Sequence, residues 1–468
     1  MNGTIHEAVA DGGVVVADRA ALRAPSRTLS YESAVWIARA GRFGAIWLPI
    51  WAVCAVQLPT QLTAVVASLV LTGVWKAALR RAYRDASTTV WTIGAWVPGA
   101  VGAATGALLA LPLLVWVPAF RLSLTTLLEL TVEVFIASSL WETAVANSLA
   151  ARRRVLLVGV GGGGSDLLED VSLAPRVPFD VVGIVEDERE TELVAGVPVL
   201  GGIDGIPAVV EELHPQIVVL AGGDREQALE GLVSVGHLGF SVVDLPEFYE
   251  YAFGRLPLRN LTAPWFLSIL HLYRRRYSRL AKRTFDVIVA CLGLLVVAPV
   301  LPVVAALVRR SGPVIFRQVR LGEAGKPFTI YKFRTMRVDA EANGAVWASE
   351  HDPRITPVGR FLRKTRLDEL PQLWNVLKGE MSIVGPRPER PEFVAELEAE
   401  VPFWGRRHLV KPGVTGWAQV RRGYTADAAG TGDKLSYDLW YLRHRSLVVD
   451  LAICVKTFST LVTASGAR

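Results

Sequence analysis

The chain has 468 residues, 51% of them hydrophobic and 20% charged, and its mean hydropathy is +0.35. A length of about three ordinary domains with so little charge excludes a disordered chain, a collagen-like chain and an ordinary soluble enzyme. The cysteines (Cys54, Cys291, Cys454) all sit in apolar text, which excludes a disulfide scaffold and leaves no zinc-ligand spacing. Lys and Arg exceed Asp and Glu by 50 − 44 = 6. In an apolar chain that excess points to lipid and phosphate, not to nucleic acid.

Residues 1–42 read as a polar cytoplasmic tail carrying Arg19, Arg23, Arg27, Arg39 and Arg42. They lack the charged-then-apolar pattern of a cleaved signal. From 43 to 150 charge nearly vanishes: Phe43–Leu79 holds only Lys76, and Ala86–Phe120 holds none. A span needs about 20 apolar residues. The text reads as four transmembrane helices near 43–58, 62–79, 94–118 and 122–149. The last carries Glu129, Glu133 and Glu142, whose carboxylates are costly in lipid and are expected against other helices or near a surface. Arg80, Arg81 and Arg84, Arg152 to Arg154, and the N-terminal tail all fall on one side of this pattern. Positive residues stay inside, so both ends of the four-helix region are expected in the cytoplasm.

Residues 151–265 change character. Short β-type runs at Arg154–Val160, Val181–Val185, Ile217–Ala221 and Phe240–Leu245 alternate with helical stretches such as Arg225–Val235. That alternation predicts a parallel sheet in an α/β Rossmann-like domain. Gly159, Gly161 and Gly164 have the spacing of a dinucleotide fingerprint, with Glu186 and Asp187 as late candidates for its acidic partner. A glycine turn that binds nothing is the favoured reading. No Tyr-x-x-x-Lys pair follows to serve a nicotinamide-dependent enzyme.

A basic linker helix is expected over 266–285, then a domain over 286–468. Val287–Val308 carries no charge. Both its flanks are basic: Arg274 to Lys282 and Arg283 before it, Arg309 to Arg320 after it. A segment with two cytoplasmic ends must turn back. Pro299 kinks it near the middle. Each half reaches about 18 Å, roughly half a bilayer. The text therefore predicts a re-entrant helix over 287–308.

Beyond it, Tyr331–Met336 alternates apolar and basic residues as a strand would. Arg354, Arg360, Arg363, Lys364 and Arg366 precede Asp368-Glu369, and Ser382–Pro388 and Lys411–Trp417 follow. Two acids at a helix start are ordinary in themselves. Among so many arginines they stay ionised and can hold Mg²⁺, while the guanidinium groups grip phosphate oxygens. This is the composition of a site that moves a phosphoryl-bearing group beside a membrane. The C-terminal Tyr437–Val462 reads as an amphipathic helix lying on the bilayer, with Trp440 and Tyr441 at the interface.

From about Lys282 to Val462 the chain resembles the bacterial sugar transferase family, the monotopic polyprenyl-phosphate phosphoglycosyl transferases. The matching text is Lys282-Arg283-x-Phe285-Asp286, Tyr331–Met336, Asp352–Thr356, Asp368–Leu373, Val384–Pro388 and Lys411–Trp417. The whole chain is similar to the large-form members that start exopolysaccharide or O-antigen assembly. Ala298-Pro299 departs from their more usual Ser-Pro. The resemblance implies a mainly α monotopic catalytic domain. Asp368 would be the nucleophile that attacks a UDP-sugar, releases UMP and carries a covalent phosphosugar. Glu369 would bind Mg²⁺ with it or assist proton transfer, and undecaprenyl phosphate would then take the sugar phosphate. It further implies Pro386, Arg387 and Pro388 at the uridine end, Lys332, Arg334 and Arg366 on phosphates, and Lys282 and Arg283 at lipid head groups or as membrane anchors. Glucose-1-phosphate is favoured over galactose-1-phosphate, and a homodimer in the bacterial inner membrane with a cytoplasmic catalytic domain is expected. The alternatives are a membrane scaffold, a nucleotide-sensing regulator and a nicotinamide-dependent oxidoreductase built on Gly159–Gly164.

Overall fold

A computed structural model of the chain describes residues 31–85, 96–117, 122–145, 153–173, 179–187, 193–258, 279–310, 312–340, 352–422 and 428–463. The tail up to residue 30 and the linker helix before residue 279 lie outside the described residues. The chain divides into two compact units, one of residues 1–42 and 144–252, the other of 43–143 and 253–468.

Four helices open the described chain: α1 (Tyr31–Gln57), α2 (Gln61–Asp85), α3 (Trp96–Trp116) and α4 (Leu124–Ala144). Within α2, α3 and α4, the segments Gln61–Tyr83, Trp96–Leu114 and Leu124–Ala144 are long and apolar enough to cross a membrane. α1 begins earlier than its apolar text and is not among them, because its apolar stretch between Arg42 and Gln57 is short. The bundle core takes Ile46, Ile50 and Cys54 from α1, Leu71, Trp75 and Leu79 from α2, Ala110 and Leu114 from α3, and Leu127, Leu130 and Val134 from α4. Helical spacing puts each set on one face. The Trp75 indole N–H donates to the Ala103 carbonyl at 3.1 Å, and the Gln57 amide donates to Thr126 Oγ1 at 3.1 Å. The second bond sets the end of α1 beside the start of α4. Glu129 and Glu133 are exposed and do not pack inside the bundle. The reason is register: the buried stripe of α4 runs through Thr126, Leu127, Leu130 and Val134, and the glutamates fall on its other side.

The unit that follows holds β1 (Arg153–Val158), α5 (Gly164–Leu173), β2 (Phe179–Val185), β3 (Leu193–Val194), β4 (Val197–Gly201), α6 (Ile206–Leu213), β5 (Ile217–Leu220), α7 (Arg225–Ser234), β6 (Ser241–Asp244) and α8 (Leu245–Phe253). The strands form a six-stranded sheet in the order β3-β4-β2-β1-β5-β6. β1 pairs in parallel with both β2 and β5, while β3 and β4 form an antiparallel hairpin. Val155 to Val158 are fully buried, as expected of a central strand covered on both faces. The sequence reading missed β3 and β4, whose text around Pro198 carries no strand pattern.

The second unit continues with α9 (Arg279–Val297) and α10 (Leu301–Arg309), β7 (Ile315–Leu321), β8 (Pro327–Phe333), α11 (Pro357–Thr365), α12 (Gln372–Lys378), β9 (Ser382–Val384), α13 (Pro391–Glu400), β10 (Gly413–Thr415), α14 (Trp417–Arg422), α15 (Ala428–His444) and α16 (Leu447–Thr463). α9 and α10 meet at a 67° bend, at the break that contains Pro299. Exposed Ile288, Leu292, Leu295, Val296 and Val303 line them. β7 and β8 form a hairpin, and β9 pairs in parallel with β10.

Tyr437–Val462 is not one surface helix. It breaks between α15 and α16, and Trp440 and Tyr441 are fully buried in the protein core instead of lying at an interface. Trp440 stacks on His444 and packs against Trp417. Asp450 is also fully buried: it accepts from Lys282 Nζ at 2.7 Å and from the Tyr441 hydroxyl at 2.8 Å. The aromatic text that suggested an interfacial helix is core packing, while Val455 and Phe458 of α16 remain exposed.

Candidate active site

The acid pair lies in a single tight turn. Thr356 caps α11 by accepting from the Gly359 amide at 2.9 Å. Arg366 ends that helix in a left-handed conformation, φ 54°. The backbone then forms the 3₁₀ turn Leu367–Glu369 and passes into α12. Both Asp368 and Glu369 are buried, at 8% exposure each. Buried carboxylates need compensating partners, and Glu369 Oε1 has two: Lys332 Nζ at 3.3 Å and Arg387 Nη2 at 2.9 Å.

Those cations come from separate elements. Lys332 lies on β8, opposite Phe316 in the hairpin register. Arg387 lies in the loop after β9, and that loop is gripped on several sides. The Pro388 carbonyl accepts from Arg320 at 3.0 Å, the Glu389 carbonyl accepts from the Leu321 amide at 3.0 Å, and the Pro386 carbonyl accepts from the Gly413 amide at 2.8 Å. Pro386 and Pro388 are buried. The Arg387 carbonyl accepts from Arg407 Nη2 at 3.0 Å. Arg407 is itself buried, ion-paired with Asp438 at 2.7 Å and Glu389 at 3.5 Å, with its guanidinium 4.3 Å from the Trp404 ring centroid.

The two acids are driven apart electrostatically. Burial, and then the Glu369 charge, push the Asp368 carboxyl up to about 6, against the pull of Lys332, Arg363 and Arg387. For Glu369 burial also pushes upward, but Arg387, Lys332 and Arg366 outweigh it and hold the carboxyl well below its ordinary range. One acid is thus a desolvated carboxylate of raised basicity, and its neighbour is a fixed anion in a cationic cradle.

Not every residue expected here is brought together. Arg334 follows the end of β8, where its Nε donates to the Pro313 carbonyl at 2.9 Å and its guanidinium lies over Phe316. No contact joins it to the acids among the described residues. Lys282 is held by Asp450 and by Asp286, the latter at 3.2 Å. Arg283 donates to the Val376 and Leu377 carbonyls, each at 2.6 Å. It thereby caps the C-terminal end of α12. Both cations at the start of the bent helix pair therefore have protein partners. Arg363 was overlooked as a site residue: its Nε donates to Thr335 at 3.0 Å and its charge acts on Asp368. The run of cations before Asp368 held the signal, without marking which member mattered. Arg407 and Asp438 could not be found that way, because nothing in their local text points to the Arg387 loop.

Among the described residues no cluster of three or more His, Cys, Asp or Glu side chains has metal-ligand placement. Mg²⁺ needs only one or two carboxylates when substrate phosphates complete its shell. Asp368 and Glu369 fit that pattern and no more demanding one.

In the first unit, Gly159 has φ 80°, and a side chain there would meet the Gly222 backbone. Gly161 lies in a one-turn 3₁₀ helix and Gly164 opens α5. The expected acidic partners are engaged by the protein itself: Glu186 accepts from the Val160 amide, and Asp187 accepts from the Ile203 amide at 2.7 Å.

Comparison with known proteins bears on the second unit most directly. The family model described as bacterial sugar transferase matches residues 277–464. The chain is 45% identical over 189 residues to the UDP-N-acetylgalactosamine-undecaprenyl-phosphate N-acetylgalactosaminephosphotransferase of Aeromonas hydrophila, covering 40% of this chain and 45% of that one. It is 33% identical over 323 residues to the UDP-glucose:undecaprenyl-phosphate glucose-1-phosphate transferase of Escherichia coli, covering 65% of this chain and 67% of that one. The exopolysaccharide production protein PSS of Rhizobium leguminosarum is 43% identical over 190 residues, covering 39% of this chain and 94% of that one. The last match reaches nearly the full length of a relative, and the family model covers the acid pair and its cations. The chain belongs to the bacterial sugar transferase family.

Proposed function

We propose that this protein transfers a sugar-1-phosphate from a UDP-sugar to undecaprenyl phosphate and releases UMP, as the first step of exopolysaccharide or O-antigen synthesis. The observation that carries this reading is the electrostatic split of the acid pair, with a basic, buried Asp368 beside a Glu369 clamped by Lys332 and Arg387.

The Asp368 carboxylate attacks the phosphorus that bears the sugar. A bond forms from its oxygen to phosphorus, the phosphoanhydride bond breaks, and UMP leaves with that electron pair. A phosphate oxygen of the acceptor lipid then attacks the same phosphorus and expels Asp368. Lys332, Arg363 and Arg387 neutralise the diphosphate, and Glu369 holds Lys332 and Arg387 in register. Asp368 and Glu369 would also hold Mg²⁺, which when bound supplies further neutralisation of the leaving phosphate. The bent α9–α10 pair is re-entrant and dips into the inner leaflet, so the lipid phosphate meets the site from the cytoplasmic side of the inner membrane. The α/β unit is a Rossmann-like domain whose glycine turn serves its own fold, as the use of Glu186 by the Val160 amide supports.

Two sugars are favoured by different observations. The longer similarity is to a UDP-glucose transferase, and the higher identity is to a UDP-N-acetylgalactosamine one. The test is UMP release by the purified full chain with Mg²⁺, undecaprenyl phosphate and a panel of UDP-glucose, UDP-galactose and UDP-N-acetylgalactosamine. Release with one donor, reduced by roughly 10³-fold or more in Asp368→Asn, is expected. Full release in Asp368→Asn would sink the nucleophile assignment, and release with none would sink the reaction.

A further inference from the structure

Gln372 opens α12. The residues between the 3₁₀ turn and that helix, Leu370 and Pro371, already have helical dihedrals. Asp368 and Gln372 are therefore four apart on a nearly continuous helical backbone and share a face. Gln372 is 2% exposed, and its Nε2 is buried with no hydrogen-bond partner among the described residues.

The same helix carries a second buried carboxamide that the protein does engage. Asn375, equally buried, donates through Nδ2 to the Thr329 carbonyl at 2.7 Å and to Glu380 at 2.8 Å, and its Oδ1 accepts from the Tyr331 amide at 3.1 Å. Both N–H groups and the oxygen of Asn375 are thus engaged. An unpaired buried donor carries its full desolvation cost, and such a cost beside an active acid signals an acceptor that arrives with the ligand. The electrostatics define that acceptor. Lys332 and Arg387 stand 3.3 and 2.9 Å from Glu369 in the same turn, so the group that enters beside the acid pair is anionic.

We propose that Gln372 is a substrate-contacting residue whose Nε2–H donates to an oxygen of the transferred phosphoryl group, in the bound sugar nucleotide and again in the covalent phosphosugar. This rests on the transferase reading above. It also predicts an unusual pairing of effects: removing the donor relieves the empty protein while it weakens the loaded one.

The experiment uses the full-length protein in detergent or nanodiscs, with Gln372→Met and Gln372→Glu. UMP-release kinetics are measured together with thermal unfolding of empty, UDP-sugar-loaded and UMP-loaded protein. For Gln372→Met the expected result is an empty-protein Tm equal to or above wild type and a fall in kcat/KM of about 10- to 100-fold. Stabilisation by the UDP-sugar falls, while stabilisation by UMP, which lacks the transferred phosphoryl, persists. Gln372→Glu keeps the shape, sets a carboxylate against the phosphoryl oxygens, and loses at least as much activity. A lowered empty-protein Tm with kcat/KM kept within about threefold overturns the proposal in favour of a packing role. Equal loss of the UDP-sugar and UMP shifts overturns the assignment to the transferred phosphoryl. Absence of both UMP release and UDP-sugar stabilisation in the wild type instead overturns the transferase reading itself.

Discussion

Asp368 and Glu369 are adjacent and equally buried, yet their surroundings push them in opposite directions. In the proposed reaction the attacking form of Asp368 is the carboxylate, and its carboxyl is pushed up to about 6. The first-turnover rate of UMP release is therefore expected to fall with a slope of one as pH drops through about 6. Rapid-quench measurements from pH 5 to 8 check this, and a flat profile would remove Asp368 as the titrating nucleophile. The sign for stability is opposite. A carboxyl raised above its unfolded value favours the folded state at low pH, and that contribution is lost as pH rises through the folded value. Asp368→Asn is thus expected to raise Tm above pH 6, with the gain shrinking as pH falls towards 4. A second prediction concerns Arg407. Arg407→Leu removes the ion-pair partner 2.7 Å from Asp438 in the core and the donor to the Arg387 carbonyl. Loss of one partner of a buried pair costs about 3–5 kcal/mol, so Tm drops and KM for the UDP-sugar rises. An unchanged KM would show that Arg387 keeps its place without Arg407.

At the scale of elements, the site is an intersection. The acid turn, the β8 strand and the loop after β9 each contribute one part, and the β9–β10 pair sets the spacing between them. That pair crosses its flanking loops with almost no clearance. A Cβ at Gly413 would sit 2.1 Å from the Gly385 nitrogen and 2.3 Å from the Thr415 oxygen, all backbone that cannot give way. Gly413→Ala is expected to lower Tm and abolish UMP release, and near-normal activity would mean that the crossing is looser than its geometry. The α9–α10 bend is the other decisive element. Its break contains Pro299, which lacks an amide to continue the helix. Pro299→Ala is expected to straighten the pair and cut UMP release, with cysteine labelling at Arg310 reporting whether that end changes sides of the membrane.

At the scale of the whole molecule, the described chain places an apolar bundle and a catalytic region in one compact unit and a parallel sheet in the other. The bond between Gln57 and Thr126 puts the α1–α2 turn and the start of α4 at one end of the bundle. With the arginines concentrated elsewhere, a single cysteine at Pro59 or Ser123 is expected to react with an impermeant reagent from outside the cell, and one at Arg84 or near Arg468 only after lysis. The reverse pattern would overturn the cytoplasmic placement of the transferase region.

Contiguous text was enough to place the apolar helices, four strands of the sheet and the chain's own break at Pro299, because hydropathy period and backbone chemistry act over a few residues. It was also enough to single out Asp368-Glu369 among cations. It misjudged Trp440 and Tyr441, since an aromatic run reads the same at an interface and in a core, and it left open whether Glu129 and Glu133 face other helices or a surface, because that depends on the register of the bundle. Only the tertiary structure decided which cations reach the acids. Lys332, Arg363 and Arg387 come from three separate elements, Arg334 turns elsewhere at the end of its strand, and Arg407 acts through a carbonyl. Desolvation belongs to the assembled fold and to no single residue, so the divergence of the two carboxyls and the unpaired amide of Gln372 exist only once these elements close around one another.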